Sequence, residues 1–405
     1  MPVLKNISIL YTCRGEGTQA DVHPVSEAAI AWKGETIEWA GSESGLPKKY
    51  ASESSFDAGG KMVIPGLIDC HTHLCFGGWR SDEFEMRIRG KSYLEIAKAG
   101  GGILSTVKKT RSVSEDELYD KASNLLKEIR QSGVTAIECK SGYGLTTKDE
   151  LKQLRVYKRL KENHPVHLVS TFLGAHTIPP EFKNNRKGYI DLIISEMILA
   201  VAEEELAEFC DVFVEDSAFT IPEAAQIFEA AIKYGLKPKL HADQLSCSGG
   251  AELAAEVGAV SADHLEQVSN AGIRKMAESG VMGVTLPLAS LYTQQPFLNC
   301  RKLVESGVQV AVATDFNPGS APSFDLTLAM MLTCNHGRLT PSEVLKAATI
   351  YAAKAMCLDA DTGSIEPGKS ADFLIIDARD VNEWMYHYKG VRLQSVFLKG
   401  EFQDL

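Results

Sequence analysis

The chain of 405 residues carries 53 acidic and 42 basic side chains, a net charge of -11, with 44% hydrophobic and 23% charged residues. That composition describes a soluble globular protein with a sizeable core. The acidic balance excludes the Lys- and Arg-rich patches that follow phosphate backbones or anionic lipid, so nucleic acid is not an expected partner. Apolar runs such as residues 326–332 fall far short of the ~20 residues that span a bilayer. The opening MPVLKNISILYTCRGEG lacks a charged leader followed by a long apolar run, so a cytoplasmic address is expected. Nine cysteines without a C-x-x-C pair suit reduced, mostly buried thiols.

In chain order, residues 3–60 offer short strands and turns with little helix, as at 28–32 and 36–40. From there β-branched segments alternate with helical patterns, which predicts βα units and a parallel sheet. Eight strands are expected, at 63–69, 134–139, 166–173, 211–215, 237–242, 259–263, 281–286 and 308–314. Between the first two, Leu118, Ala122, Leu125, Leu126 and Ile129 recur at helical spacing behind a capping box from Ser114 to Glu117. Further helices are expected at 148–163, 222–234 and 251–257. Eight parallel strands with crossovers close most naturally into a (β/α)8 barrel, here at 63–358. Short strands return at 373–376 and 394–398. Residues 1–62 and 359–405 are therefore expected to form one small β-sandwich domain from both termini.

Barrel enzymes place their chemistry after the C-terminal strand ends. Five of the ten histidines, His71, His73, His176, His241 and His264, fall just after such ends, as do Lys140, Tyr143 and Asp315. Side chains two apart on a strand share a face, so His71 and His73 point together into the barrel mouth. With His241 and Asp315 they offer nitrogen and carboxylate donors that suit one zinc or ferrous ion. Asp315 taken alone reads equally as a cap for the turn at 318–320.

The string PGLIDCHTH at 65–73, the histidines after the fifth and sixth strands, and ATDFNPGS at 313–320 resemble the metal-dependent amidohydrolases. Four longer strings, FGGWRSDEFEMR from Phe76, KSGYGL from Lys140, TFLGAHTIPPE from Thr171 and HADQLSCSGGAEL from His241, resemble the imidazolonepropionase family within them. With GSIEPGKSADFLIID near the end, the resemblance covers essentially the whole chain. It implies hydrolysis of the lactam bond of 4-imidazolone-5-propanoate to N-formimidoyl-L-glutamate, with one divalent zinc or iron ion per subunit. A homodimer would be in keeping with it.

The resemblance implies His71, His73, His241 and Asp315 as metal ligands. It leaves His264 off the metal, to orient water or stabilise the oxyanion, and makes Asp315 the proton shuttle. Arg80 would bind the propanoate, with Tyr143 and His176 as further contacts. Gln244 stands where some members carry Glu; an amide cannot move protons, so a binding role is expected. Asn317, Gly319 and Ser320 complete the expected substrate loop.

GSIEPGKS at 363–370 satisfies a phosphate-loop pattern but follows a helix and enters a strand, so it reads as a turn. The main alternative is an amidohydrolase acting on a neutral ring, which would leave Arg80 without a carboxylate. Dinuclear members bridge their metals through a modified lysine after strand four; here that strand ends at Glu215 and Asp216, which favours one metal. A metal-free scaffold barrel would have no need of the ligand set.

Overall fold

The computed structural model describes residues 1–50, 53–91, 95–96, 100–216, 218–387 and 392–403. The N-terminal segment forms β1 (Val3–Tyr11), β2 (Pro24–Lys33), β3 (Thr36–Ser42), β4 (Ser55–Asp57) and β5 (Met62–Pro65). The central segment forms β6 (Leu67–Thr72), β7 (Val134–Lys140), β8 (His167–Ala175), β9 (Phe209–Val214), β10 (Lys237–Ala242), β11 (Ser261–His264), β12 (Met282–Thr285) and β13 (Val310–Val312). Each of these eight pairs in parallel with the next. The seam between β6 and the end of β13 is drawn together by Asp315 N–H to the His71 carbonyl (3.0 Å) and His73 N–H to the Phe316 carbonyl (2.8 Å). The eight strands and their helices make a nearly closed (β/α)8 barrel.

The segment at 63–69, read from sequence as one strand, is two. Gly66 breaks it: a Cβ there would lie 2.1 Å from Thr135 Oγ1, so only glycine lets the chain pass this close to β7. Before the break, β5 pairs antiparallel with β14 (Phe373–Ile376); after it, β6 enters the barrel. With β15 (Leu393–Leu398) and β16 (Glu401–Gln403), the strands of both termini make one sheet in the order β16-β15-β14-β5-β1-β2-β3, β4 pairing with β1. Trp32, Phe373 and Phe397 anchor its core, with ring centroids 4.6 to 5.7 Å apart.

The helix Glu115–Gln131 shows how the pattern becomes structure. Its Ser114–Glu117 capping box forms, and Leu118, Ala122, Leu126 and Ile129 turn inward to the barrel wall. Each large apolar side chain so buried contributes about 1.5–3 kcal/mol. The helices Thr147–Asn163, Ile221–Lys233 and Gly250–Glu256 match the other three expected ones to within a residue or two. All nine cysteines are free thiols, and among the described residues no helix is long and apolar enough to cross a membrane.

Candidate metal centre and substrate pocket

Four side chains expected as metal ligands meet at the C-terminal end of the barrel. The Nε2 atoms of His71 and His73 each lie 3.5 Å from Asp315 Oδ1, and the His71 and His241 rings are 4.5 Å apart. All four residues are buried. Asp315 reaches this point because its backbone turns left-handed, at φ 55°. Its carboxyl is held below the usual range although burial alone would raise it, because His73, His264 and His241 surround it.

Each of two histidines is aimed by a carboxylate behind it. His71 Nδ1 donates to Asp263 (2.6 Å), and His241 Nδ1 faces Asp211 at 3.0 Å. Those contacts fix the tautomers and leave both Nε2 atoms as lone-pair donors. Both Nε2 atoms are buried without a hydrogen-bond partner, an arrangement that is costly unless a cation accepts them. Burial, followed by the Lys140 charge, depresses His71 well below the usual histidine range, and burial lowers His73 as well. Neutral imidazoles and a carboxylate converging on one point fit a divalent metal ion. His264 also comes within reach: its ring nitrogen, with those of His71 and His241, forms a second triad whose atoms lie within 4.8 Å of one another.

Below this point the barrel interior holds charge where such barrels usually hold Val, Ile and Leu. Lys140 Nζ lies 2.8 Å from both Glu138 and Asp211 and 3.6 Å from Asp263; Lys239 Nζ lies 2.7 Å from Glu138. All five side chains are fully buried. Lys140 therefore touches both carboxylates that aim the metal-facing histidines. Burial opposes its charge, but Asp211, Glu138 and Asp263 raise its pKa overall.

Above the centre opens a cavity of about 510 Å³. Arg80, Tyr143, His176, Gln244, Asn317 and Ser320 line it, as do His73, His241, His264 and Asp315. Gly319 does not line it; the residue lies against Arg80, and a Cβ there would sit 1.3 Å from Arg80 Nη2. Arg80 is buried, with Nε and Nη1 lacking hydrogen-bond partners, so its guanidinium keeps donors to offer an anion. His176 Nδ1 donates to the Gly142 carbonyl (3.0 Å), which leaves Nε2 for the cavity. Asn317 folds its own loop: its amide donates to the Asp315 carbonyl (2.7 Å), and its Oδ1 accepts from Gly319 and Ser320 N–H. Sequence reasoning missed Asp211, Asp263, Glu138, Lys239 and Glu83. The first four face inward on their strands; Glu83 lies 3.8 Å from Arg80 and accepts from Gly102 N–H.

A conserved-sequence profile described as the amidohydrolase family matches residues 62–402. The chain belongs to the amidohydrolase family. Among its relatives, the imidazolonepropionase of Shouchella clausii (strain KSM-K16) is 47% identical over 94% of this chain and 86% of its own length. That of Geobacillus thermodenitrificans (strain NG80-2) is 52% identical over 85% of this chain and 81% of its own. Among solved structures, the fold of this amidohydrolase is shared by atrazine chlorohydrolase from Arthrobacter aurescens TC1 complexed with zinc. The TM-score is 0.78 at 14% identity, over 99% of this chain and 95% of that one.

Proposed function

We propose that the chain catalyses the imidazolonepropionase reaction, hydrolysing the lactam of 4-imidazolone-5-propanoate to N-formimidoyl-L-glutamate. One observation carries the reading beyond the family: a buried guanidinium with unmet donors, Arg80, opens into the same cavity as the metal-facing histidines. A substrate that joins a hydrolysable ring to a carboxylate answers both ends of that cavity. The extended relatives of the same name support it.

His71, His73, His241 and Asp315 would hold the metal, zinc or iron, which supplies Lewis-acid polarisation of a carbonyl and acidifies water. Arg80 binds the propanoate as a charge-assisted pair. Tyr143 and His176 flank the ring, and Gln244 offers an amide donor and acceptor to it. The oxygen of water bonds to the lactam carbon and the ring carbon–nitrogen bond breaks. Asp315 takes the water proton and delivers it to the departing nitrogen. His264 donates a hydrogen bond to the oxyanion as it develops. Nine free thiols fit a reducing compartment, and the cytoplasm is the proposed location.

The test is loss of ultraviolet absorbance of freshly generated imidazolone propanoate, with the metal-loaded parent beside His241→Ala and Arg80→Ala. Turnover abolished in the first variant and weakened chiefly through KM in the second is the expected result. An inert parent would move the reading to an amidohydrolase of another ring.

A further inference from the structure

The loop after β11 carries a carboxylate that the steps above leave unused. Glu266 follows His264 by two residues, and its side chain is 3% exposed. Its Oε1 accepts from Ser290 Oγ (3.1 Å), on the helix Pro287–Thr293, and lies 3.6 Å from His264 Nδ1. The other carboxylate oxygen, Oε2, and His264 Nδ1 are both buried without a hydrogen-bond partner. A buried imidazole N–H left unmet is expensive, and the Glu266 carboxylate beside it, with lone pairs to spare, is the acceptor it lacks. A small ring rotation closes the gap; such bonds are often long before ligand binds.

The backbone supports the same pairing. His264 and Leu265 are consecutive non-glycine residues in the left-handed region, at φ 78° and 70°. Each is a strained conformation for a residue with a side chain and persists only where surroundings over-determine it. Leu265 N–H to the Ala242 carbonyl (3.0 Å) and Gln267 N–H to the Asp243 carbonyl (2.8 Å) hold the reversal that brings Glu266 back toward the ring. Two other rim histidines have one carboxylate each, His71 with Asp263 and His241 with Asp211. His264 repeats the arrangement with a looser partner.

We infer that Glu266 is the positioning residue of His264, accepting the Nδ1 proton and so fixing the tautomer and tilt that leave Nε2 for the cavity. The inference rests on the proposed reaction only for what His264 then does to substrate. Glu266 touches no reacting atom; it acts through the imidazole.

The test uses the full-length, zinc-loaded protein and its Glu266→Leu and Glu266→Gln variants. Three readouts are taken: kcat and KM on imidazolone propanoate, metal affinity by chelator competition, and the ¹⁵N shifts of labelled histidine, with His264 assigned by its loss in His264→Asn. Glu266→Leu is expected to lower kcat on the order of a hundredfold with KM and metal affinity within twofold. Glu266→Gln, whose carbonyl still accepts from Nδ1, is expected to recover about a tenth of parent kcat. In the parent the His264 Nδ1 is protonated and Nε2 bare; in Glu266→Leu that preference is lost. An unchanged tautomer in Glu266→Leu overturns the inference, and so does an unchanged kcat or a loss matched by lost metal. If the parent turns over no substrate but the tautomer shift appears, the proposed reaction falls and the positioning role stands.

Discussion

Gly319→Ala tests the carboxylate end of the pocket through a single methyl group. The new Cβ would lie 1.3 Å from Arg80 Nη2, 1.8 Å from Cζ and 2.0 Å from Nε. No real pair of atoms tolerates that, so the guanidinium must retreat by about 2 Å to reach ordinary van der Waals contact. Gly319 does not need a positive φ, so alanine fits the backbone; the conflict falls on the end of one side chain. A charge-assisted hydrogen bond is worth about 1.5–3 kcal/mol. At a factor of ten per ~1.4 kcal/mol, losing it raises KM by roughly 10- to 150-fold. Because the propanoate does not react, the same contact is made in ground and transition states, and kcat should change little. The assay is steady-state hydrolysis of imidazolone propanoate by the parent, Gly319→Ala, Arg80→Ala and the double variant. If the methyl acts through Arg80, adding Gly319→Ala to Arg80→Ala costs nothing further. A KM within twofold of the parent for Gly319→Ala, or full additivity in the cycle, refutes the assignment of Arg80 to the substrate carboxylate.

Three other outcomes follow from the same structure. Lys140→Met strips the cation shared by Glu138, Asp211 and Asp263, and denaturant unfolding should show a loss of about 3–5 kcal/mol; a loss below about 1 kcal/mol would contradict the buried network. Asp263→Asn removes the carboxylate behind His71, and competition with a chelator should report metal bound some 10–100 times more weakly, whereas unchanged affinity would show that the histidine aims itself. Glu223, hydrogen-bonded to Arg186, has its pKa lowered to about 2. With the unfolded value near 4.3, its contribution is fully present above that pH and fades as pH falls through about 2. Thermal melts of Glu223→Gln should therefore lie below the parent at neutral pH and converge with it toward pH 2; a constant gap would refute the linkage.

Much of the fold was legible because its signals are local. Helical spacing from Leu118 to Ile129 needs only neighbouring residues and a capping box, and it forms as read. The placing of His71, His73, His176, His241 and His264 at strand ends likewise follows from alternation and strand order, and all but His71 line the cavity beside the metal-facing cluster. The break at Gly66 was not legible, since what forbids a side chain there is Thr135, some seventy positions along the chain.

The sequence by itself determined the barrel, the family and the donor types at its mouth, because strand period, helix caps and motif spacing are properties of short windows. Tertiary structure decided how those donors are held. Asp211 and Asp263 look like ordinary strand residues until neighbouring strands bring them behind His241 and His71. Lys140 reads as a rim residue at the end of its strand until parallel pairing turns it, with Lys239, inward onto Glu138. Gly319 reads as a turn residue until the guanidinium of Arg80 occupies the space its missing side chain leaves. Such contacts join residues tens to hundreds of positions apart, and no pattern within one segment encodes the distance between two of them.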